Sequence, residues 1–123
     1  MRFKNILLVD DDEDDRDVFM AAVNTVSSEI NCITLNGGHK ALEYLSKNAL
    51  PDLIFLDLNM PMITGVELLK LLNERYPSSP VNVYSTGSFI ESERGELPVD
   101  VPLIITPDTY MGLITLLKEL LLN

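Results

Sequence analysis

The residues with the clearest capacity for chemistry are aspartates placed where apolar runs end. Leu53-Ile54-Phe55-Leu56 is wholly apolar, the pattern of a strand buried on both faces of a parallel sheet, and it stops at Asp57. Ile6-Leu7-Leu8-Val9 is a similar run, and it opens into Asp10-Asp11-Asp12-Glu13-Asp14-Asp15. A carboxylate at the carboxyl end of a buried strand lies where open α/β sheets bind ligands. Taken alone, Asp57 reads equally well as a strand-ending residue that caps a turn. Asp14, Asp15 and Asp12 have an ordinary role too, since acidic groups favour the positive end of the helix that follows. That role does not extend to Asp10 and Asp11, which precede the helix proper. Crowded carboxylates repel, and a divalent cation relieves the repulsion. An EF-hand calcium loop fits poorly, because its glycine position holds Asp15 and its closing glutamate position holds Ala21.

The elements that must position these aspartates follow from hydrophobic periodicity. Strands are predicted at residues 6–9, 32–35, 53–56, 81–84 and 103–105. Phe19, Ala22, Val23 and Val26 predict a first helix; Ala41, Leu42 and Leu45 a second; Gly65, Leu68, Leu69, Leu72 and Tyr76 a third. Met60-Pro61 interrupts regular structure ahead of that third helix, and Pro77-Ser78-Ser79-Pro80 ends it. Residues 88–101 carry a poor signal, with Gly95, Pro98 and Pro102 arguing against a long helix. The final helix is predicted to hold Pro107 in its first turn, with Leu113, Leu116, Leu117 and Leu120 on one face. Met111, Ile114 and Leu121 widen its apolar surface, which could support a homodimer as readily as core packing. Strands alternating with helices predict a doubly wound parallel α/β sheet. If the first and third strands are neighbours at its switch point, Asp10, Asp11 and Asp57 converge there, with Ser85 on the same edge.

Composition narrows the function. The 123 residues suit one domain, and a net charge of -10 with no basic cluster argues against nucleic-acid binding. No apolar run approaches the length of a membrane span, and no signal-peptide pattern opens the chain. The lone Cys32 reads as a small core hydrophobe and His39 as a surface residue. These features predict a protein of the reducing cytoplasm.

In their order along the chain, the motifs resemble the receiver domain of two-component response regulators. The acidic end of the first strand, residues 6–12, is similar to the family's. So are Leu53 to Pro61 followed by Gly65, which resemble its phospho-acceptor strand and Met-Pro-x-x-x-Gly turn. The resemblance covers essentially the whole chain. It implies a flavodoxin-like, five-stranded parallel sheet of order 2-1-3-4-5 with helices on both faces. It also implies a single receiver domain over residues 1–123 with no output domain. Asp57 would accept a phosphoryl group from a sensor histidine kinase or phosphotransfer protein. Magnesium would be held by Asp11, Asp57 and the backbone carbonyl of Asn59, with Asp10 reaching it through water, and Ser85 would hydrogen-bond the transferred group. The expected output is contact with a downstream protein whose identity the residues do not disclose. Beyond self-phosphorylation and autodephosphorylation at Asp57, no enzymatic activity is implied.

The departures concern the other half of the site. Where the family ends its fifth strand with Lys-Pro, this chain has Thr106-Pro107, a hydroxyl without charge and with shorter reach. Leu103 stands where many members carry a switching Tyr or Phe, and Thr86 is bulkier than the usual Ala or Ser. The missing lysine motivates a second reading, a pseudo-receiver that binds partners without phosphorylation. Asp57-Leu58-Asn59 also bears a faint likeness to the nucleophile motif of dehalogenase-type phosphatases, but that family places the motif on its first strand in a larger chain.

Overall fold

The structure, a computed structural model, describes residues 3–57, 65–75, 81–85 and 103–122. In chain order the elements are β1 (Asn5–Val9), α1 (Glu13–Val26), β2 (Asn31–Leu35), α2 (Gly38–Lys47), β3 (Leu53–Asp57), α3 (Gly65–Arg75), β4 (Val81–Ser85), β5 (Leu103–Ile105) and α4 (Tyr110–Leu121). The strands form one five-stranded parallel sheet of order β2-β1-β3-β4-β5. This is the flavodoxin-like arrangement. Tyr76, the region 88–101 and Asn59 lie outside the described residues.

The apolar runs of β1 and β3 are continuous because each strand is covered on both faces. Ile6, Leu8, Leu53 and Phe55 point to one side, where they pack with Phe19, Ala22 and Val23 of α1 and with Leu113, Ile114, Leu117 and Leu121 of α4. Leu7, Val9, Ile54 and Leu56 point to the other, against Ala41 and Leu45 of α2 and Leu68, Leu69 and Leu72 of α3. The ring of Phe19 meets that of Phe55 edge-on, with centroids 5.2 Å apart at 61°.

Two details of α4 differ from the sequence expectation. The helix starts at Tyr110 rather than around Pro107, because Thr109 is its N-cap and the Thr109 Oγ1 accepts the Gly112 N–H at 3.0 Å. Pro107 instead folds back over the first turn. A Cβ on Gly112 would come within 2.8 Å of the Pro107 Cβ, so only glycine fits there. The buried row is Leu113, Ile114, Leu117 and Leu121, while Leu116 and Leu120 are half-buried. Met111, at 69% exposure, takes no part in the core.

At the amino ends of the central strands Asp52 acts as a clamp that sequence pattern does not reveal. Its Oδ2 accepts the backbone N–H groups of Lys4 at 2.7 Å and Asn5 at 2.9 Å, and its own N–H donates to the Asn5 carbonyl at 2.8 Å. The hydrogen bonds from Asn5 and Lys4 hold the Asp52 carboxyl below the usual carboxylate range. A carboxylate with a depressed folded pKa stabilises the fold above its unfolded value of about 3.9, and that contribution disappears as pH falls through the folded value. Asp52→Ala is therefore expected to cost about 1 kcal/mol at pH 7, by analogy with loss of a helix cap. The cost should shrink as pH falls below about 4, where the unfolded-state carboxyl takes up its proton, and should vanish below the depressed folded value. Urea unfolding of both proteins at pH 7 and pH 3 tests this; a pH-independent difference would contradict it.

Candidate functional site

The strand registers decide which side chains meet. Ile6 pairs with Leu53 and Leu8 with Phe55, so continuing two residues brings Asp10 level with Asp57. Side chains alternate along a strand. Asp10 thus extends the row of Ile6 and Leu8, and Asp57 that of Leu53 and Phe55, both on the α1 side of the sheet.

Asp10 is fixed at three atoms. Its N–H donates to the Leu35 carbonyl at 3.0 Å, tying the exit of β1 to the end of β2. Its Oδ1 accepts the Asp12 N–H at 2.9 Å, and its carbonyl accepts a bond from Arg16 Nη1 at 3.0 Å. Asp12 then starts the helix as its N-cap, with Oδ1 accepting the Asp15 N–H at 3.0 Å. The acidic run is thereby divided: Asp12 caps, Glu13, Asp14 and Asp15 occupy the first helical turn, and Asp10 and Asp11 stand outside the helix.

One carboxylate oxygen from each of Asp10, Asp11 and Asp57 lies within 4.8 Å of the others. Asp10 and Asp57 are the buried polar side chains among the described residues, 0% and 3% exposed, whereas Asp11 faces solvent. For the buried pair, Asp10 and Asp57, an effective dielectric of about 20 gives roughly 3.5 kcal/mol of repulsion at that spacing, and solvent screens the exposed Asp11 more strongly. Capping or dipole effects, about 1 kcal/mol each, are too small to account for such an arrangement. Three carboxylates with one side open to solvent form an all-oxygen donor set of the kind a hard divalent cation takes. The negative field reaches the helix: partial burial, then the charges of Asp10, Asp12, Asp14 and Asp11, raise the Asp15 carboxyl above its ordinary range.

The remaining expected site residues are placed differently. Ser85 is the last residue of β4, one beyond the Tyr84 that pairs with Asp57, so its backbone lies on the same sheet edge. Asn59 lies outside the described residues. Thr106 follows β5, but its Oγ1 is buried without a hydrogen-bond partner and does not bond to the aspartate trio. The residue borders a small apolar cavity with Phe19, Phe55, Ile104 and Leu117, and also lines a cleft of about 300 Å³ between α1 and α4. Leaving a buried hydroxyl unpaired costs about 1–3 kcal/mol. Thr106→Val keeps the shape and removes that cost, so it is expected to raise the urea midpoint by the equivalent of about 1 kcal/mol. A lower midpoint would show that the hydroxyl has a stabilising partner.

Comparison with known proteins points in one direction. The sequence model for the response regulator receiver domain matches residues 6–94, well over half of the chain. The DNA-binding transcriptional regulator NtrC of Escherichia coli K12 is 31% identical over 87 residues, covering 71% of this chain but 18% of NtrC. The chain thus spans about a fifth of the length of that relative. Among solved structures, the phosphorylated cyanobacterial phytochrome response regulator RcpA superimposes with a TM-score of 0.82 at 28% identity, covering 96% of this chain and 91% of that one. The response regulator TrrA of Thermotoga maritima, solved in complex with Mg(2+)-BeF, shares the fold with a TM-score of 0.76 at 22% identity, covering 96% and 99%.

Proposed function

The chain belongs to the response regulator receiver family of two-component systems, and on that premise we propose that it takes up a phosphoryl group on Asp57 and signals by protein contact. The observation that carries this reading is the meeting of Asp10, Asp11 and Asp57 at the carboxyl edge of the sheet. In the transfer, an Asp57 carboxylate oxygen forms the new bond to phosphorus while the phosphorus–nitrogen bond of a partner's phosphohistidine breaks, and the imidazole leaves with the electron pair. Register and burial hold Asp57 at the end of β3, so the proposed nucleophile would be presented with little motion to suppress. Asp10, Asp11 and Asp57, with the Asn59 carbonyl, are the proposed holders of magnesium. When bound, that ion offsets the repulsion between an anionic nucleophile and an anionic phosphoryl group. Ser85 is proposed to hydrogen-bond the transferred group and Thr106 to stand in the position of the family lysine.

The TrrA complex with Mg(2+)-BeF supports magnesium as the ion. No described helix is long and apolar enough to cross a membrane, which agrees with action in the cytoplasm. We read residues 1–123 as one receiver unit whose donor is a histidine kinase or phosphotransfer protein and whose output is a protein contact, with a homodimer through α4 as one form. DNA binding belongs to NtrC's own description and is not extended to this chain.

Incubation with magnesium and acetyl phosphate, followed by intact mass, tests the reading. Gain of one phosphoryl group that disappears on chelation is expected. No gain from acetyl phosphate or a cognate kinase, together with absent magnesium binding, would overturn it in favour of the phosphorylation-independent binding module.

A further inference from the structure

Arg16 stands in an acidic neighbourhood, with Glu13, Asp14, Asp15 and Asp17 around it in sequence. Its obvious task would be to neutralise one of them. Yet among the described residues its guanidinium makes no ion pair within 4.0 Å, and its hydrogen bond goes to a neutral group, the Asp10 carbonyl, at 3.0 Å. The Arg16 N–H meanwhile donates to the Asp12 carbonyl at 3.0 Å. Backbone and side chain of one residue therefore grip both ends of the three-residue segment from Asp10 to Asp12. Inside that grip the Asp12 N–H reaches the Asp10 carboxylate at 2.9 Å. These bonds set the path of the chain between the β1 exit and the α1 cap, and that path determines where Asp11 can place its carboxylate.

We propose that Arg16 is a positioning residue for the cation site: by holding the Asp10 carbonyl it fixes the turn that aims Asp10 and Asp11 at Asp57. The inference rests on the reading of those three carboxylates as a magnesium site. It makes a prediction opposite in sign to a purely electrostatic role. A guanidinium close to a cation site repels the incoming ion, so its removal would tighten magnesium binding if charge were all that mattered. If positioning dominates, removal weakens binding despite the lost repulsion.

Magnesium affinity of the full chain, measured by titration of amide resonances, separates these. Arg16→Ala is expected to bind magnesium at least fivefold more weakly, and Arg16→Lys, which retains a long side chain ending in a donor, to recover most of the loss. In metal-free buffer the Asp12 amide of Arg16→Ala should exchange with solvent at least fivefold faster, with the amides of Leu7 and Phe55 unchanged, which marks a local loosening rather than a loss of fold. Tighter or unaltered magnesium binding by Arg16→Ala, or an unchanged Asp12 exchange rate, would overturn the inference alone. A wild-type protein that binds no magnesium would overturn the cation-site reading and this inference with it.

Discussion

Asp57→Asn is expected to abolish phosphoryl uptake while leaving a folded and more heat-stable protein. The amide cannot serve as the nucleophile, so the mass gain with acetyl phosphate and magnesium should fall below detection. The stability effect follows from burial. Asp57 is 3% exposed and shares its site with Asp10 and Asp11, so in metal-free solution its charge is both desolvated and repelled. Asparagine removes the charge at nearly constant volume, and a rise in melting temperature of a few degrees without metal is expected, since about 1 kcal/mol corresponds to roughly 3–6 °C for a domain of this size. Magnesium should then reverse the order. Bound at the proposed site it would stabilise the wild type by mass action, whereas the variant, lacking one proposed ligand, should bind at least about tenfold more weakly and respond little. Thermal unfolding of both proteins with and without magnesium reads all of this. A variant less stable than wild type in the absence of metal would mean that the contacts of the Asp57 carboxylate outweigh the repulsion.

The largest effect on stability is expected at Phe55. It is 2% exposed, lies in the middle of the central strand β3, and stacks edge-on with Phe19 of α1. Truncation of a buried phenylalanine removes its transfer free energy and leaves a cavity, together about 3–5 kcal/mol. The Phe19 contact adds to the apolar area lost. Against a total stability on the order of 5–15 kcal/mol, Phe55→Ala should bring the protein close to its unfolding threshold. Phe55 is also two residues before Asp57 on the same side of the strand. Magnesium affinity should therefore fall through loosening of β3, although no ligand has changed. A loss below about 1.5 kcal/mol in urea unfolding would show that α1 and α4 collapse into the space.

The sequence by itself determined the elements and the ends at which chemistry is placed. Period-two and period-3.6 patterns are local, and strands covered on both faces read as unbroken apolar runs. That is why β1 and β3 are legible within a residue of their bounds, and why Asp57 and Asp10 stand out as charges terminating such runs. The family resemblance supplied the strand order, and the sheet follows it. Tertiary structure decided what depends on groups distant in the chain. The register of β1 on β3 brings Asp10 level with Asp57, a juxtaposition that strand patterns alone left conditional. The Asp52 clamp joins groups separated by 47 and 48 residues, and no period announces it. Pro107 looked like a helix start because proline suits a first turn, but the competing hydroxyl of Thr109, two residues on, captured the Gly112 N–H and moved the start to Tyr110. No sequence pattern announces the reach of the Arg16 side chain back to the Asp10 carbonyl either. Side-chain hydrogen bonds of this kind depend on where the backbone already is, and so they become legible only once the fold has placed it.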